Sequence, residues 1–385
     1  MTDQGTKYQT RVFTGAENRK LPQSVEEWRE RAKNTLTKDA WDYLEGGAGE
    51  EDTVQENRSA FRKWRIRPRY LRDVSTRSLD AEFLGINHES PFILAPIGVQ
   101  SILHKDGEIA SARAAAKMNM PFNLSTVSSI TMEEIAKKSP DGEKWLQLYP
   151  SKDKNIVRSF IRRAEKSGYR AIVVTADTTM LGWRERDLNN AYLPFLRGEG
   201  LANFFSDPAF LKRLEKPPEE DLIKAIMEFI SVYVNPSFSW EDFREICRST
   251  ELPVILKGIT HEDDVQMAFN SGAKAVVISN HGGRQVDGAI SSLDALEAIS
   301  GRDDLKGEIL FDSGFRHAAD AMKAMALGAG GILIGRPYAY ALSVAGQEGI
   351  ELYLEQVLAE MDLEMGLSGF KNLKELNRDS LYRKQ

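Results

Sequence analysis

The sequence contains a single cysteine, Cys247, among its 385 residues, and only five histidines. One cysteine excludes a disulfide framework and any zinc or iron–sulfur site that needs several thiolates, and it suits a reducing compartment. No run approaches the ~20 apolar residues of a membrane-spanning helix, and the N-terminal residues lack the pattern of a signal peptide. We therefore expect a cytoplasmic protein without a membrane partner or a metal site, and any acid–base histidine must be one of those five.

The chain also lacks a concentration of charge of either sign. It carries 51 Lys and Arg residues against 57 Asp and Glu residues, a formal net charge of −6, with no block rich in Lys and Arg. This balance argues against nucleic acid as the main partner. The length exceeds the roughly 250–300 residues at which single hydrophobic cores stop growing. It indicates either two domains or one large architecture such as an α/β barrel with additions.

Short apolar runs alternate with helical patterns from residue 91 onward, whereas residues 1–90 resemble helices and irregular segments. Continuous runs of Val, Ile and Leu are typical of parallel strands that are buried on both faces. Eight such runs predict a (β/α)8 barrel, the TIM-barrel fold, over residues 91–360, followed by a tail over 361–385. The predicted strands are 92–98, 121–126, 144–149, 171–177, 253–258, 275–280, 308–314 and 330–336.

The regular spacing is broken once, by an insertion over residues 178–239 after the fourth strand. A loop of this length in a compact domain is typical of a lid or a binding loop. It follows the carboxyl end of a strand, where the active sites of such barrels lie. Two interpretations remain open: a mobile lid, or an ordered packing element. Phe195, Leu196 and Phe204 either line a pocket or anchor the insertion.

Polar residues stand at the carboxyl ends of nearly all the predicted strands, although the strands of such barrels fill the core with apolar side chains. Because these ends meet at one mouth, we expect the polar side chains to converge on a single site. They are Gln147, Tyr149, Thr175, Asp177, Lys257, Ser279, His281, Asp312 and Arg336.

The densest of these clusters is the segment SNHGGRQ at 279–285. His281 and Arg284, with two glycines between them, suit a base and a carboxylate-binding fork that act on one ligand. Asp177 is a candidate to orient the histidine ring, and Arg184 offers a second carboxylate contact. The remaining histidines lie in polar or charged sequence typical of a surface: His88, His104, His261 and His317.

A second cluster follows the seventh and eighth predicted strands, the usual place for phosphate in these barrels. The segment DSGFR at 312–316 and the pair Gly335-Arg336 supply glycine turns and two guanidinium groups. Such groups suit a phosphate dianion. A phosphate site beside a proton-accepting histidine predicts a phosphorylated cofactor with the substrate stacked on it.

Together these segments resemble the FMN-dependent 2-hydroxy-acid oxidases and dehydrogenases. SNHGGRQ is similar to the active-site signature of that family, and the resemblance extends from about Leu44 to about Arg378. The other matching segments keep the same order and spacing: LQLY, TADTTMLGWRERD, PVILKGI, FDSGFRHAADAMKAMALGA and IGRP. The chain departs from many relatives in one place, where it has Asp177-Thr-Thr instead of Asp-Thr-Pro.

The resemblance implies a role for each matching position. His281 would take the proton of the substrate hydroxyl, and Asp177 would orient its ring. Lys257 would face the edge of the flavin that becomes negative. Further substrate contacts are implied for Tyr43, Tyr149, Arg184 and Arg284. Contacts with FMN are implied for Ala95, Pro96, Ile97, Gly98, Ser125, Gln147, Thr175, Lys257, Ser279, Asp312, Gly314, Arg316, Gly335 and Arg336.

Within this family the lactate 2-monooxygenase branch is most similar, through GWRERDLNNAYLPFLRG and ANFFSDPAF in the insertion and through Gly98, where lactate oxidases usually carry Ala. That branch converts L-lactate and O2 into acetate, CO2 and water, because pyruvate stays bound until peroxide decarboxylates it. The alternatives are an L-lactate oxidase that releases pyruvate and H2O2, a related 2-hydroxy-acid oxidase, or a barrel that binds a phosphorylated ligand without redox chemistry. The resemblance also implies a homo-oligomer, a tetramer or an octamer.

Overall fold

The computed structural model describes residues 3–16, 20–302 and 307–384. The remaining residues, which belong to the predicted N-terminal segment, barrel and tail, lie outside these ranges. The strands are β1 (Trp64–Ile66), β2 (Ala81–Phe83), β3 (Ile86–His88), β4 (Phe92–Leu94), β5 (Phe122–Leu124), β6 (Lys144–Leu148), β7 (Ala171–Thr175), β8 (Val254–Ile259), β9 (Ala275–Ile278), β10 (Glu308–Phe311), β11 (Gly331–Ile334) and β12 (Leu381–Arg383). The helices are α1 (Gln4–Phe13), α2 (Val25–Thr35), α3 (Lys38–Glu45), α4 (Asp52–Arg62), α5 (Gly107–Lys117), α6 (Met132–Lys138), α7 (Lys154–Lys166), α8 (Glu185–Asn189), α9 (Ala202–Phe205), α10 (Pro208–Leu211), α11 (Leu222–Tyr233), α12 (Trp240–Arg248), α13 (Glu262–Asn270), α14 (Ser292–Ser300), α15 (Ala318–Ala326) and α16 (Arg336–Leu367).

Strands β4 to β11 close into a parallel barrel with the order β10-β11-β4-β5-β6-β7-β8-β9 around its circumference. Closure joins the last barrel strand to the first, with Ile332 of β11 paired with Phe92 of β4. Every residue of β6, β7, β9 and β11 is buried, because side chains fill the interior and helices cover the outside. All eight predicted strands are thereby confirmed, and the fold is the predicted TIM barrel.

Two small antiparallel sheets accompany the barrel, one formed by β2 and β3 and the other by β1 and β12. Helix α16 packs against α1, α2 and α5, and non-helical backbone interrupts it at Ala345 and Gly346. It continues to Leu367, so the predicted boundary between barrel and tail, after residue 360, lies inside a helix. The division of the chain into an N-terminal segment, a barrel and a tail stays a prediction. No helix within the described ranges has both the length and the apolar character that crossing a membrane demands.

The insertion over 178–239 folds into helices α8 to α11 and a 3₁₀ turn at Pro194–Arg197. Its aromatic side chains form one cluster: the ring centroid of Phe204 lies 4.8 Å from that of Phe229 and 5.0 Å from that of Phe160 on α7. Phe204 is fully buried, whereas Leu196 is 54% exposed. This cluster packs the insertion against the barrel and favours the ordered packing element, whereas movement of the insertion as a lid stays a prediction.

Candidate active site

A cavity of about 1220 Å³ of atom-free space, including its open mouth, lies at the carboxyl ends of the barrel strands. The predicted site residues that line it are Tyr43, Ala95, Pro96, Ile97, Gly98, Tyr149, Thr175, Arg184, Lys257, His281, Arg284, Asp312, Gly314, Arg316, Gly335 and Arg336. Four further predicted residues are hydrogen-bonded to members of this lining: Ser125 through Gln147, Gln147 itself, Asp177 and Ser279. The structure therefore brings the entire predicted set together.

His281 follows β9 in left-handed backbone, with a φ of +58°. Its Nδ1 lies 2.8 Å from Oδ1 of Asp177. That carboxylate needs the glycine at position 258, where a Cβ would come within 2.5 Å of Asp177 Oδ2. Burial lowers the pKa of His281, and the negative charge of Asp177 offsets only part of the shift. The imidazole is therefore neutral at neutral pH and has Nε2 available to accept a proton.

Two arginines and a tyrosine form the anion-binding part of the cavity. Arg284 donates from Nη1 to the carbonyl of Gly46 at 2.7 Å, and its guanidinium carbon lies 5.2 Å from the ring centroid of Tyr43. Arg184 donates from Nε to the carbonyl of Arg284 at 3.2 Å. Burial, together with the positive charges of Arg184 and Arg336, lowers the pKa of Arg284 to about 9. Such a crowded set of guanidinium groups favours an anionic ligand, and a carboxylate suits their forked geometry.

Lys257 brings a buried positive charge to the same cavity. Its Nζ lies 2.9 Å from Oδ2 of Asp312 and donates to Ser279 Oγ at 2.7 Å. Burial opposes this charge, but Asp312 and Asp177 together raise the pKa of Lys257 above its usual value. Burial alone would raise the pKa of Asp177, but the interactions with His281 and Lys257 hold that pKa below its usual value. The site therefore keeps an ionised lysine and an ionised Asp177 side by side.

A chain of neutral polar side chains at the ends of β5, β6 and β7 reaches the cavity through Thr175. Gln147 Oε1 accepts from Ser125 Oγ at 3.0 Å, and Gln147 Nε2 donates to Thr175 Oγ1 at 2.9 Å. All three side chains are buried. Fixed amide and hydroxyl groups of this kind suit the heteroatoms at the edge of a polar ring system.

The end of the cavity beside β10 and β11 carries the two predicted phosphate arginines. Arg336 donates to the backbone carbonyls of Gly282 and Gly46, at 2.9 Å each. Arg316 donates from Nη1 to its neighbouring carbonyl, that of Phe315, at 2.7 Å. Gly314 has a φ of +85°, and a Cβ there would lie 2.4 Å from the carbonyl oxygen of Asn57. Two guanidinium groups on a glycine-rich turn fit a phosphate group. The amide of Gln147 and the ammonium group of Lys257 likewise fit the polar edge of a flavin ring.

Sequence reasoning missed Tyr233, which the insertion contributes to the cavity lining. Its ring packs edge-on against that of Tyr149, with centroids 5.4 Å apart. Burial raises the pKa of Tyr149 well above its usual range, so its hydroxyl keeps its proton. No motif marks Tyr233, because it belongs to an apolar helix that looks like ordinary packing. Phe195, which was predicted either to line a pocket or to pack, also lines the cavity.

Comparison with known proteins agrees with this geometry. A family model described as FMN-dependent dehydrogenase matches residues 32–383. An FMN-dependent alpha-hydroxy acid dehydrogenase, qulF, of Penicillium citrinum is 39% identical over 98% of this chain and 95% of its own length. An L-lactate oxidase of Lysinibacillus sphaericus (strain C3-41) is 40% identical over 88% of this chain and 87% of its own. The structure of an oxidised active mutant of (S)-mandelate dehydrogenase has a TM-score of 0.84 at 36% identity and covers 94% of this chain and 99% of that one.

The family match covers most of the chain, and the residues that line the cavity suit the ring and the phosphate of the cofactor named in that match. The chain therefore belongs to the family of FMN-dependent 2-hydroxy-acid oxidases and dehydrogenases, and its cofactor is FMN.

Proposed function

We propose that the protein is an L-lactate 2-monooxygenase, which converts L-lactate and O2 into acetate, CO2 and water. The observation that carries this proposal is that the insertion forms part of the cavity wall. Leu181, Phe195 and Tyr233 of the insertion form part of its wall, and two arginines for one carboxylate lie at its substrate end. A keto-acid product held by both guanidinium groups behind such a wall stays until an oxidant reaches it, as the monooxygenase outcome requires.

In this proposal His281 takes the proton of the substrate hydroxyl at Nε2, while Asp177 orients the ring through Nδ1 and stabilises the imidazolium that forms. Arg184 and Arg284 bind the carboxylate, with Tyr43 beside them. The protonated hydroxyl of Tyr149 donates a hydrogen bond to the substrate oxygen. Bound FMN supplies the acceptor for the two electrons of the substrate α-C–H bond and passes them on to O2. Lys257 provides a fixed positive charge in the cavity, where the resemblance assigns it to the reduced flavin.

The second candidate is an L-lactate oxidase, which releases pyruvate and H2O2. A relative of that name is 40% identical to this chain, and this observation favours it. A related 2-hydroxy-acid oxidase with another substrate is a third possibility. A barrel without redox chemistry no longer fits, because the chain belongs to an FMN-dependent family. A homo-oligomer, a tetramer or octamer, and a cytoplasmic location stay predictions.

The fate of the substrate carbon tests the proposal. The FMN-loaded enzyme is supplied with carbon-labelled L-lactate and O2 in the presence of catalase, which removes free H2O2 before it can decarboxylate pyruvate in solution. Equimolar acetate and CO2, formed at the same yield with and without catalase, support the monooxygenase. Pyruvate as the product in the presence of catalase overturns it in favour of the oxidase.

A further inference from the structure

A network of buried polar side chains lies behind the wall segment Ala95–Gly98 of the cavity. The hydroxyl of Tyr338, on α16, donates to the carbonyl of Ala95 at 2.9 Å. Gln100 Nε2 donates to the carbonyl of Ile97 at 3.0 Å and to the hydroxyl of Tyr338 at 3.2 Å. Ser111 Oγ in turn donates to Gln100 Oε1 at 2.6 Å. Two carbonyls of the wall are thus held from behind by side chains that are fully buried.

The backbone just after this wall is held in a strained conformation. Val99 has a φ of +56°, in the left-handed region that a β-branched residue rarely adopts. Its N–H donates to the carbonyl of Val127 at 2.9 Å, and the N–H of Gln100 donates to Oε1 of Glu108 at 3.1 Å. The same oxygen of Glu108 accepts from the N–H of Ser129 at 3.0 Å. Such strain persists only where the surroundings over-determine the backbone, and it is concentrated at functional sites.

From these contacts we propose that Tyr338, Gln100 and Glu108 are positioning residues that fix the wall Ala95–Gly98 against bound FMN. None of the three lines the cavity, so each acts through the backbone that does. Tyr338 also lies two residues after Arg336, at the start of α16. One side chain therefore connects the arginine end of the cavity, after β11, with the wall that follows the neighbouring strand β4. The inference depends on FMN as the cofactor and is independent of which hydroxy acid is the substrate.

Glu108 acts here as an acceptor for two backbone N–H groups. Burial raises its pKa, and its Oε2 has no hydrogen-bond partner within the described part of the chain. Its Oε1 accepts the N–H bonds of Gln100 and Ser129 and so holds the two backbone segments together. Because glutamine has the same shape and also offers a carbonyl oxygen, Glu108→Gln is expected to preserve the position of the wall.

The substitution Tyr338→Phe tests the network by removing one hydroxyl. In the FMN-loaded enzyme we expect kcat to fall about tenfold with KM changed less than about twofold, because a wall displaced by a fraction of an ångström affects the reaction more than substrate binding. The visible circular dichroism and the midpoint potential of bound FMN are expected to shift as well. The matched control is Tyr353→Phe, on the same helix, because its buried hydroxyl has no partner among the described residues.

If Tyr338→Phe and Tyr353→Phe give the same dichroism, potential and kcat, the proposal is wrong. Where Tyr338→Phe fails to fold, Ser111→Ala replaces it, because it releases the Gln100 side chain with a smaller change. We expect shifts in the same direction and a fall in kcat of about threefold. Unchanged FMN spectra and potential in Ser111→Ala would overturn the proposal. So would a Glu108→Gln variant in which the dichroism of FMN differs from that of the unaltered enzyme.

Discussion

His281 is held by a hydrogen bond of 2.8 Å to Asp177, and burial keeps its imidazole neutral. We expect His281→Gln to retain FMN and to lower the rate at which L-lactate reduces it by about 10²–10⁴-fold, because a general base contributes that much. Anaerobic stopped-flow absorbance of the bound flavin measures this rate. His261→Gln is the control, since His261 is a surface residue at the start of α13. If L-lactate reduces the flavin of His281→Gln at the normal rate, His281 is not the base of the proposed reaction.

The pH dependence follows from the same environment. A base works in its deprotonated form, and a lowered pKa keeps His281 in that form at pH values below the ordinary histidine value of about 6.5. We therefore expect kcat/KM to be flat through neutral pH, with an acid limb that begins below that value. The charge of Asp177 raises the pKa of His281, so Asp177→Asn should move the acid limb to still lower pH while reducing the maximum. A limb that moves to higher pH would contradict this assignment.

Gly98 is enclosed so tightly that even a methyl group has no room. A Cβ there would lie 2.6 Å from Cγ2 of Val127 and 2.8 Å from the carbonyl oxygen of Val127. We expect Gly98→Ala to destabilise the protein by about 1–3 kcal/mol, the usual cost of overpacking. The free energy of unfolding in urea measures the effect. Gly330→Ala serves as the control, because its nearest neighbour would be 3.6 Å away, and an equal loss in both variants would refute the steric argument.

The sequence identifies most of the site at this scale, since a charged or polar residue at the end of a buried strand needs a functional reason. His281, Lys257 and Arg336 could each be assigned to the cavity in that way. Tyr233 and the network of Tyr338, Gln100 and Glu108 could not. Their positions depend on how distant elements pack, and an isolated Tyr or Gln in a helical pattern carries no signal of its own.

Among the elements, the insertion depends on its aromatic cluster. Phe204 is fully buried and contacts Phe160, Phe210 and Phe229. We expect Phe204→Ala to lower the free energy of unfolding by about 3–5 kcal/mol, as large-to-small changes in a core do. Leu196→Ala, at a position 54% exposed, should change it by less than about 0.5 kcal/mol. Denaturant titration of both variants measures these changes in the free energy of unfolding. A small effect for Phe204→Ala would mean that the insertion is not fixed by this cluster.

The strands and the insertion differ in how far the sequence predicts them. Strands buried on both faces leave continuous apolar runs such as AIVVT, which need no knowledge of their neighbours. The insertion carries equally apolar residues, but its packing depends on Phe160, which lies on a helix before the preceding strand. Similarly, α16 runs past residue 360 because its second half packs on helices from the start of the chain. Long-range contacts of this kind leave no local pattern.

For the whole molecule, the positive cavity links stability to cofactor binding. Burial lowers the pKa values of Arg284 and Arg336, so the folded protein without an anion carries unfavourable positive charge. We expect FMN at about 100 times its Kd to stabilise the fold by about 2.7 kcal/mol. Riboflavin, which has the ring without the phosphate, should stabilise it much less at equal concentration. Thermal unfolding of flavin-free protein with each ligand measures this difference, and equal shifts would argue against a phosphate site at Arg316 and Arg336.

The pairing of β11 with β4 also determines when the site can form. The cavity draws its lining from residues as far apart as Tyr43 and Arg336, and the barrel remains open until Ile332 reaches Phe92. During synthesis, one edge of β4 therefore stays unpaired until β11 has formed, and an unpaired strand edge favours aggregation. FMN has no complete site to enter until the last barrel strand has left the ribosome. FMN therefore binds after synthesis of the barrel is complete. A molecule that shows the yellow colour of bound flavin is one whose barrel has already closed.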